Sequence, residues 1–289
     1  MIKKKAYAKI NLALDVLGKR EDGYHLVKMI MQMVDLYDEL SFEKRDDGEI
    51  LFKSASEKIP NDENNLVYKA AKLLKDRYKV TSGSEITLVK NIPVAAGMAG
   101  GSTDAAAAFI ALNELWDLKL SKEELCKDAV SLGADIPYCI IGGTALSEGI
   151  GEELTALPDM PKCYILIAKP SIDVSTGWVY KTLDSREVIS HPDVDSMVKA
   201  IKDGSLIGIT SNMGNVLQTV TVPEYPVIEE IKDIMNCNGA MEAMMSGSGP
   251  TVFGIFDSAN TMEKAYEAVR NSGLAPELYK SCPINPSRV

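Results

Sequence analysis

The amino-acid sequence predicts an α+β protein built from two domains. Strand patterns and helix patterns are mixed along the chain, without the regular alternation that a doubly wound parallel sheet requires. The 289 residues are enough for two ordinary domains, since a domain typically has about 100–200 residues. A loop-like stretch bounded by glycine and proline at residues 151–161 marks a boundary, and we expect domains at residues 1–155 and 156–289.

The first half opens with a strand pattern at residues 6–17, where apolar side chains alternate with polar ones. Alternation of this kind places one face of a strand in a core and leaves the other face polar. The strand ends at residues 18–23, a turn-forming run with Asp-Gly at its tip. Further patterns predict strands at residues 39–44, 49–53 and 85–89, and helices at 64–78, at 104–116 and from the capping box at 121–124.

The second half opens with an apolar strand at residues 164–168. Its other predicted elements are helices near 175–183, 193–202 and 224–236, a glycine-rich stretch at 245–249, a strand at 251–256, a helix near 259–271 and a last short strand. Strands and helices in this order fit a second α+β domain.

The charge of the chain excludes some classes of partner. Lysine and arginine number 31 against 41 aspartate and glutamate residues, which leaves a net charge of -10. A protein of this charge lacks the basic field that drives nonspecific binding to nucleic acid or to an anionic membrane. It can still bind phosphate where backbone amides and a few lysines converge. We therefore expect small-molecule partners, with no nucleic acid and no membrane.

Cysteine and histidine usage points to a cytoplasmic protein without a dedicated metal site. The five cysteines are odd in number and never spaced Cys-x-x-Cys, so neither disulfides nor a zinc site are expected. Only two histidines are present, which argues against a histidine-rich metal centre. The N-terminus lacks the apolar core of a signal peptide.

The strongest local signal is a run of small and apolar residues at 93–103, between a predicted strand and a predicted helix. Small side chains leave backbone N–H groups unshielded, and the helix that follows adds its positive dipole end. Such an arrangement can hold a polyphosphate. It matches neither the P-loop pattern nor the Rossmann glycine pattern. The alternative is a flexible connection whose glycines only permit close packing.

Two charged residues inside apolar segments are candidates for chemistry. Lys9 lies in the middle of the first strand beside Asn11 on the same face, although a solvated position on a one-sided sheet would look the same. Asp135 lies in an apolar segment bounded by glycine and proline, where an unpartnered carboxylate would be costly. It is either a helix or turn cap or, near a lysine, a base for phosphoryl transfer.

Two further motifs carry polar groups. Residues 246–251 form a second run of amides and hydroxyls, although an ordinary tight turn has the same composition. Tyr24 and His25 follow the first turn directly and offer a stacking face and a hydrogen-bonding edge. A lone histidine is more often a structural residue, so both interpretations stay open.

Taken together, these motifs resemble those of the kinase superfamily that includes galactokinase, homoserine kinase, mevalonate kinase and phosphomevalonate kinase. Residues 93–103 resemble its phosphate loop, Pro-x-x-x-Gly-Leu-Gly/Ala-x-Ser-Ser. Residues 8–12 (Ala-Lys-Ile-Asn-Leu) and 19–25 (Lys-Arg-Glu-Asp-Gly-Tyr-His) are typical of the members that act in the non-mevalonate isoprenoid route. Residues 133–137 and 245–250 complete a set of four motifs that spans nearly the whole chain.

Three positions depart from the superfamily pattern. Met98 stands where leucine is usual, Thr103 where a second serine is usual, and Gln218 where relatives often carry glutamate. The first change is nearly isosteric and the second keeps a hydroxyl, so neither threatens phosphate binding. If the superfamily uses a carboxylate at position 218, the glutamine of this chain cannot supply it.

The resemblance implies a two-domain small-molecule kinase fold of the α+β class, with the active site in the cleft between the domains. It implies ATP and Mg²⁺ as cofactors, an N-terminal domain that binds ATP, and a monomer or weak homodimer. The hydroxyl of Ser102 or Thr103 would lie near phosphate or Mg²⁺. The loop residues implied to hold the triphosphate are Pro93, Val94, Ala95, Ala96, Gly97, Met98, Ala99, Gly100, Gly101, Ser102 and Thr103.

The reaction that the resemblance implies is transfer of the ATP γ-phosphate to the 2-hydroxyl of a cytidine diphosphate-linked methylerythritol. Asp135 would act as the general base on that hydroxyl. Lys9 would lie between Asp135 and the transferring phosphoryl group, where it favours the ionised carboxylate and neutralises developing charge. Asn11 would help to place the substrate.

The resemblance also implies a pocket for the base. Tyr24 and Tyr180 would sandwich the cytosine, and His25 would hydrogen-bond its edge. The residues around Tyr24 distinguish this member from two rivals, another small-molecule kinase of the superfamily and its ATP-dependent decarboxylase. A third rival is a nucleotide-binding protein without catalysis, against which Lys9 and Asp135 together argue.

Overall fold

The structure is a computed structural model that describes residues 1–186 and 190–285. The strands are β1 (Ile2–Lys19), β2 (His25–Arg45), β3 (Ile50–Ser54), β4 (Gly83–Val89), β5 (Thr144–Glu148), β6 (Glu153–Ala156), β7 (Tyr164–Lys169), β8 (Gly214–Asn215), β9 (Glu242–Met245), β10 (Val252–Phe256) and β11 (Glu277–Ser281). The helices are α1 (Leu66–Arg77), α2 (Gly100–Leu115), α3 (Lys122–Ala129), α4 (Ile136–Ile141), α5 (Thr176–Leu183), α6 (Val194–Lys202), α7 (Leu206–Ser211), α8 (Gln218–Glu224), α9 (Val227–Cys237) and α10 (Ala259–Ser272). Within the described ranges, no helix is both long enough and apolar enough to cross a membrane.

Residue contacts divide the chain into two compact units that alternate along the sequence. The first unit contains Met1–Ala8, Leu36–Val94 and Ala99–Gly142, and the second contains Lys9–Asp35, Ala95–Met98 and Gly143–Val289. The units alternate because β1 and β2 each begin in one unit and end in the other. The boundary at residue 155 is a single cut in the sequence, and it stays a prediction.

The first unit combines β3, β4, the start of β1 and the end of β2 with helices α1 to α4. Strand β4 pairs antiparallel with the end of β2, from Glu39 opposite Val89 to Arg45 opposite Gly83, and parallel with β3. Helix α2 packs against α1 and α4. Alanines make up most of the buried side chains of α2, and small side chains let neighbouring helices approach closely. This packing fixes the position of the first turn of α2.

The second unit contains a four-stranded antiparallel sheet in the order β11-β7-β10-β9. Helices α9 and α10 pack on this sheet, and every residue of β10 is buried. A strand covered on both faces is expected to be apolar throughout rather than alternating. The end of β1 also belongs to this unit and pairs parallel with β8, where Ala13 lies opposite Gly214.

The structure confirms most predicted elements with ends shifted by a few residues, but the strand predicted at 39–44 is only the last part of β2, which begins at His25. The predicted helix at 64–78 is α1, which begins after the N-cap Asn65 and ends before Tyr78. The predicted capping box opens α3, where Ser121 accepts a hydrogen bond from the Glu124 N–H and Glu124 accepts one from the Ser121 N–H. Seven short elements were not predicted, because they have no recognisable sequence period. They are β5, β6, β8, β9, α4, α7 and α8.

The structure corrects the polar face predicted for the first strand. Lys9, Asn11 and Asp15 are 5%, 0% and 5% exposed, so both faces of β1 are buried over its middle. Alternation alone cannot separate a solvated face from a buried polar one, because a paired charge can lie in the interior. The interpretation of Lys9 as a solvated position is therefore wrong.

Candidate active site

The candidate phosphate loop at residues 93–103 has a distinctive backbone. Ala95, Gly97 and Ala99 have φ angles of 53°, 68° and 56°, so alternate residues lie in the left-handed region. Such alternation turns successive N–H groups toward one side and forms a concave anion site. The left-handed region costs each alanine on the order of 1 kcal/mol. Strain held at two alanines of one short loop favours a functional loop over a simple connection.

Helix α2 begins at Gly100, within this loop, and its first N–H groups are unpaired. Ala99 is its N-cap, and the helix has neither a side-chain cap nor an acidic residue in its first turn. Its first internal hydrogen bond joins the Thr103 N–H to the Ala99 carbonyl oxygen at 2.9 Å. The N–H groups of residues 100–102 therefore face an anion-binding position, where the helix dipole favours negative charge.

The surroundings of Gly97 and Gly101 differ in what they leave for a side chain. A Cβ on Gly97 would overlap the Ser246 carbonyl oxygen and lie 3.1 Å from the Gly249 carbonyl oxygen. A Cβ on Gly101 would meet nothing closer than the Leu66 Cδ1 atom at 3.5 Å. Packing within the protein explains the first glycine but not the second. The open space beside Gly101 fits a cradle that a ligand fills, and a triphosphate is a suitable ligand.

Lys9 lies against this loop. Its Nζ donates to the Gly97 carbonyl oxygen at 3.1 Å and to Asn11 Oδ1 at 2.6 Å, and its backbone N–H donates to the Met98 carbonyl oxygen at 3.2 Å. The ammonium group is therefore both buried and fixed, since two hydrogen bonds hold it. A fixed cation beside a phosphate loop provides positive potential locally in an acidic protein.

The second glycine motif packs on the same loop. Ser246 Oγ donates to the Gly97 carbonyl oxygen at 3.0 Å, and a Cβ on Gly247 would lie 3.1 Å from that oxygen. Asn215 Nδ2 donates to the carbonyl oxygens of Met245 and Gly247 at 2.9 and 2.8 Å and holds the turn in place. Residues 246–249 do form a tight turn, and this turn supports the phosphate-loop candidate.

Asp135 lies at the N-cap position of α4, but its side chain makes no cap hydrogen bond. The residue has φ and ψ of -79° and -16°, and its side chain is half-buried. Among the described residues of its own unit, the carboxylate forms no hydrogen bond or ion pair. Capping therefore does not explain this carboxylate, which keeps both oxygens as free acceptors toward a ligand.

The two hydroxyls that end the loop differ in what they contact. Thr103 Oγ1 is buried and donates to the Tyr7 carbonyl oxygen at 2.8 Å, which ties α2 to β1. Ser102 is half-buried, and within the described part of the first unit it makes no side-chain hydrogen bond. Of the two alternatives predicted from the sequence, Ser102 is the hydroxyl with a proton left to donate.

A buried ion-pair cluster that the sequence patterns do not reveal lies beneath the start of α2. Lys90 Nζ donates to Asp104 Oδ2 at 2.8 Å and forms a second ion pair with Asp38. Burial raises the pKa of Asp104 well above its usual range, against the opposing effect of Lys90. A Cβ on Gly100 would lie 3.0 Å from Lys90 Nζ, so this cluster packs directly under the first helical residue.

Of the residues predicted to form a base pocket, the structure brings His25 and Tyr180 into contact, with a partner that was not predicted. Tyr24 is 58% exposed at the turn after β1. The His25 and Tyr180 rings lie 4.7 Å apart at an angle of 36°. Asp184 bonds to both ends of this turn, with Oδ1 2.6 Å from His25 Nε2 and Oδ2 2.6 Å from Lys19 Nζ. In the sequence, Asp184 is one acidic residue after an amphipathic helix, and no pattern distinguishes it from a solvated one.

Two family descriptions match the chain: "GHMP kinases N terminal domain" at residues 65–143 and "GHMP kinases C terminal" at residues 197–274. A protein of Lachnospira eligens named 4-diphosphocytidyl-2-C-methyl-D-erythritol kinase is 52% identical over 285 residues, which cover 99% of each chain. The chain belongs to the 4-diphosphocytidyl-2-C-methyl-D-erythritol kinase family. A protein of the same name from Clostridium perfringens is 45% identical over 100% of both chains.

Solved structures share the fold of this kinase family. A crystal structure of 4-(cytidine 5'-diphospho)-2C-methyl-D-erythritol kinase matches with a TM-score of 0.82 at 29% identity, and covers 98% of this chain and 99% of that chain. The L. major mevalonate kinase in complex with R-mevalonate matches with a TM-score of 0.77 at 18% identity, over 99% and 97% of the two chains. The second likeness shows the fold alone. These matches confirm the α+β small-molecule kinase fold.

The structure shows what surrounds Met98 and Gln218, two of the positions that depart from the superfamily pattern. Met98 is buried, as the leucine it replaces would be. Gln218 Oε1 accepts a hydrogen bond from the Met245 N–H at 3.1 Å, immediately before the supporting turn. A glutamate oxygen would accept the same bond, so the neutral amide keeps the structural contact without the charge.

Proposed function

We infer that this protein is an ATP-dependent kinase that phosphorylates the 2-hydroxyl of 4-diphosphocytidyl-2-C-methyl-D-erythritol, a step of the non-mevalonate route to isoprenoid precursors. Relatives with 52% and 45% identity carry the name of this kinase and match it over nearly their whole length. The structural observation that carries the proposal is the meeting of Lys9 and Ser246 at the Gly97 carbonyl oxygen. A fixed cation and a supported phosphate loop are what phosphoryl transfer from ATP requires.

ATP is the phosphoryl donor, and we propose that residues 93–103 hold its triphosphate. The support is the alternating left-handed backbone at Ala95, Gly97 and Ala99, together with the uncapped start of α2. Both features present N–H groups to an anion. No lysine within the loop is needed, because Lys9 supplies the positive charge from β1.

We also propose that Mg²⁺ binds at this site, with few ligands from the protein itself. Among the described residues there is no group of three or more His, Cys, Asp or Glu side chains that could hold a metal ion alone. Mg²⁺ in phosphoryl-transfer sites is held mainly by substrate phosphates, waters and one or two protein oxygens, so no dedicated cluster is required. We assign Ser102 Oγ as the protein oxygen. When bound, Mg²⁺ neutralises charge on the β- and γ-phosphates.

For the chemical step, we propose that Asp135 accepts the proton of the 2-hydroxyl as its oxygen attacks the γ-phosphorus. The bond from the γ-phosphorus to the β–γ bridging oxygen breaks, and ADP leaves with that electron pair. Lys9 stabilises the negative charge on the transferring oxygens. The free acceptor oxygens of Asp135 and the buried, fixed ammonium of Lys9 support these roles.

For the cytidine, we propose that Tyr24 and Tyr180 stack on the two faces of the base. An exposed ring on a turn suits this task, because stacking offsets the loss of water from an aromatic face. His25 hydrogen-bonds the edge of the base, and Asn11, held by Lys9, helps to place the methylerythritol unit. The unit that contains these four residues is the second one.

The assay that tests the proposed function offers the purified protein the cytidyl substrate and mevalonate in parallel, each with ATP and Mg²⁺, and measures ADP and phosphorylated product. We expect product from the cytidyl substrate alone. Turnover of mevalonate alone would assign the protein to another member of the superfamily. ATP binding without product from either substrate would favour a nucleotide-binding protein without catalysis.

Replacement of Lys9 by methionine is expected to lower kcat more than it weakens ATP binding. Methionine keeps the apolar stem and removes the charge, so the transition state loses its cation while the loop amides still hold ATP. The Gly97 carbonyl oxygen keeps its bond from Ser246, which limits damage to the loop. Steady-state kinetics and ATP titration separate the two effects.

The outcome that would contradict this role for Lys9 is a loss confined to ATP affinity, which would make Lys9 a ground-state phosphate contact. Asn11 Oδ1 loses its donor in the variant, and a buried orphaned acceptor costs about 1–3 kcal/mol of stability. A thermal melt of the variant is therefore measured first. The kinetics are then compared at a temperature where the wild type and the variant are both folded.

The proposed location and partners of the enzyme follow from its substrates and its charge. We propose a cytoplasmic enzyme, since its phosphoryl donor is ATP, acting as a monomer or weak homodimer. The net charge of -10 supports small-molecule substrates over nucleic acid as partners.

A further inference from the structure

Asp184 occupies a position where an acidic residue is unfavourable by itself. It is the C-cap of helix α5, and the partial negative charge at a helix C-terminus disfavours a carboxylate there. Two partners compensate: Lys19 Nζ lies 2.6 Å from Oδ2, and His25 Nε2 lies 2.6 Å from Oδ1. Lys19 is the last residue of β1 and His25 is the first residue of β2, so one carboxylate holds both ends of the turn that carries Tyr24.

The same helix provides the second wall of the base pocket. Tyr180 lies on α5, one turn before Asp184, and its ring packs on the His25 ring. Asp184 thus joins the turn with the first stacking residue to the helix with the second. Groups that hold binding residues in place reduce the conformational entropy lost when the ligand binds.

The charge state of Asp184 decides which nitrogen of His25 carries the proton. The hydrogen bonds from Lys19 and then from His25 hold the pKa of Asp184 below its ordinary value. An ionised carboxylate only accepts hydrogen bonds, so the His25 nitrogen facing it, Nε2, must carry hydrogen. In the neutral ring, Nδ1 is then an acceptor. An acceptor suits the amino group of cytosine and opposes the carbonyl oxygen that uracil has in its place.

We propose that Asp184 is a positioning residue that fixes His25 as a hydrogen-bond acceptor in the base pocket and so makes the enzyme select cytosine over uracil. The proposal rests on the proposed function for the identity of the base. Lys19 takes part by occupying the second carboxylate oxygen, which leaves a single oxygen for the histidine.

The decisive variant is Asp184→Asn. Lys19 donates to the amide oxygen, so the amide NH₂ faces His25 Nε2, which becomes an acceptor and moves the ring proton to Nδ1. Nitrogen-15 NMR of the free, histidine-labelled protein reports this, because the chain has only two histidines. The second, His191, contacts Asp15 through Nδ1 at 2.7 Å, so it is expected in the opposite tautomer and serves as an internal reference.

The functional arm compares CDP and UDP as inhibitors competing with the cytidyl substrate at saturating ATP. We expect the wild type to bind CDP at least about 10-fold more tightly than UDP, and Asp184→Asn to reduce this ratio to about 2-fold or less. The control is Asp195→Asn, which removes the 2.7 Å ion pair between Lys28 and Asp195 elsewhere in the second unit. It is expected to leave both the ratio and the His25 tautomer unchanged.

An unchanged His25 tautomer or an unchanged CDP-to-UDP ratio in folded Asp184→Asn protein would overturn the proposal. Proportional losses in kcat and in the affinities for ATP, CDP and UDP would also overturn it, since they indicate a structural role alone. Failure of the wild type to phosphorylate the cytidyl substrate would instead refute the proposed function. The tautomer of the free protein still tests Asp184 in that case.

Discussion

Asp135→Asn is expected to reduce kcat by at least about 10²-fold, the low end of what general-base catalysis contributes. Asparagine has almost the same volume and lacks the basic oxygen, so the substrate hydroxyl keeps its proton as it approaches phosphorus. The side chain makes no cap hydrogen bond in the folded protein, so its change removes no cap contact. Stability and ATP affinity are therefore expected to change little. Rapid-quench kinetics measure the loss in kcat, an ATP titration measures the affinity, and a thermal melt measures the stability.

A surface aspartate of the same unit provides the control for this experiment. Asp117 forms an ion pair with Lys119 at 3.5 Å, with both side chains largely exposed, and Asp117→Asn is expected to retain full activity. Near wild-type kcat in Asp135→Asn would remove Asp135 from the base role. A strongly lowered melting temperature would instead show that the carboxylate supports the fold.

Most long elements of the fold could be predicted because polar and apolar residues recur with the period of a strand or a helix, although only the last part of β2 was predicted. Strand β1 alternates over many residues, and α1 and α10 keep an apolar stripe with a capping residue at the start. The short elements could not, since β8 has two residues and α4 has six. Less than two turns of helix, or two residues of strand, cannot establish a period. Contacts with residues distant in the sequence determine the structure of these segments.

The site was predictable in its residues but not in its contacts. The resemblance placed a phosphate loop at 93–103, yet no sequence pattern shows that the Ser246 turn packs on Gly97, since these residues are far apart in the chain. Lys9 looked like a solvated lysine by periodicity, and its burial follows only from tertiary packing. Asp184 and the Lys90 cluster consist of single charged residues whose meaning depends on partners elsewhere.

Gly97→Ala is expected to reduce kcat/KM for ATP by about 10²-fold, the effect that a 1 Å misplacement near the chemistry can have. The added Cβ overlaps the Ser246 carbonyl oxygen, which is backbone and cannot rotate away. The φ of 68° adds the strain of a left-handed alanine, on the order of 1–2 kcal/mol. The loop and the supporting turn must therefore separate, and the Gly97 carbonyl oxygen moves away from Lys9. Steady-state kinetics over a range of ATP concentrations measure the loss.

Gly101→Ala separates this clash from a direct effect on ATP. Outside its chain neighbours and its own helix backbone, the nearest described atom to its Cβ is Leu66 Cδ1 at 3.5 Å, and alanine in a first helical turn is at least as stable as glycine. We expect an unchanged or higher melting temperature together with a KM for ATP raised about 10-fold, because the methyl group enters the space assigned to phosphate. Gly97→Ala is expected to lower both stability and activity. If Gly101→Ala left ATP binding intact, the open space beside α2 would not be the phosphate site, and the loss in Gly97→Ala would reflect a displaced turn alone.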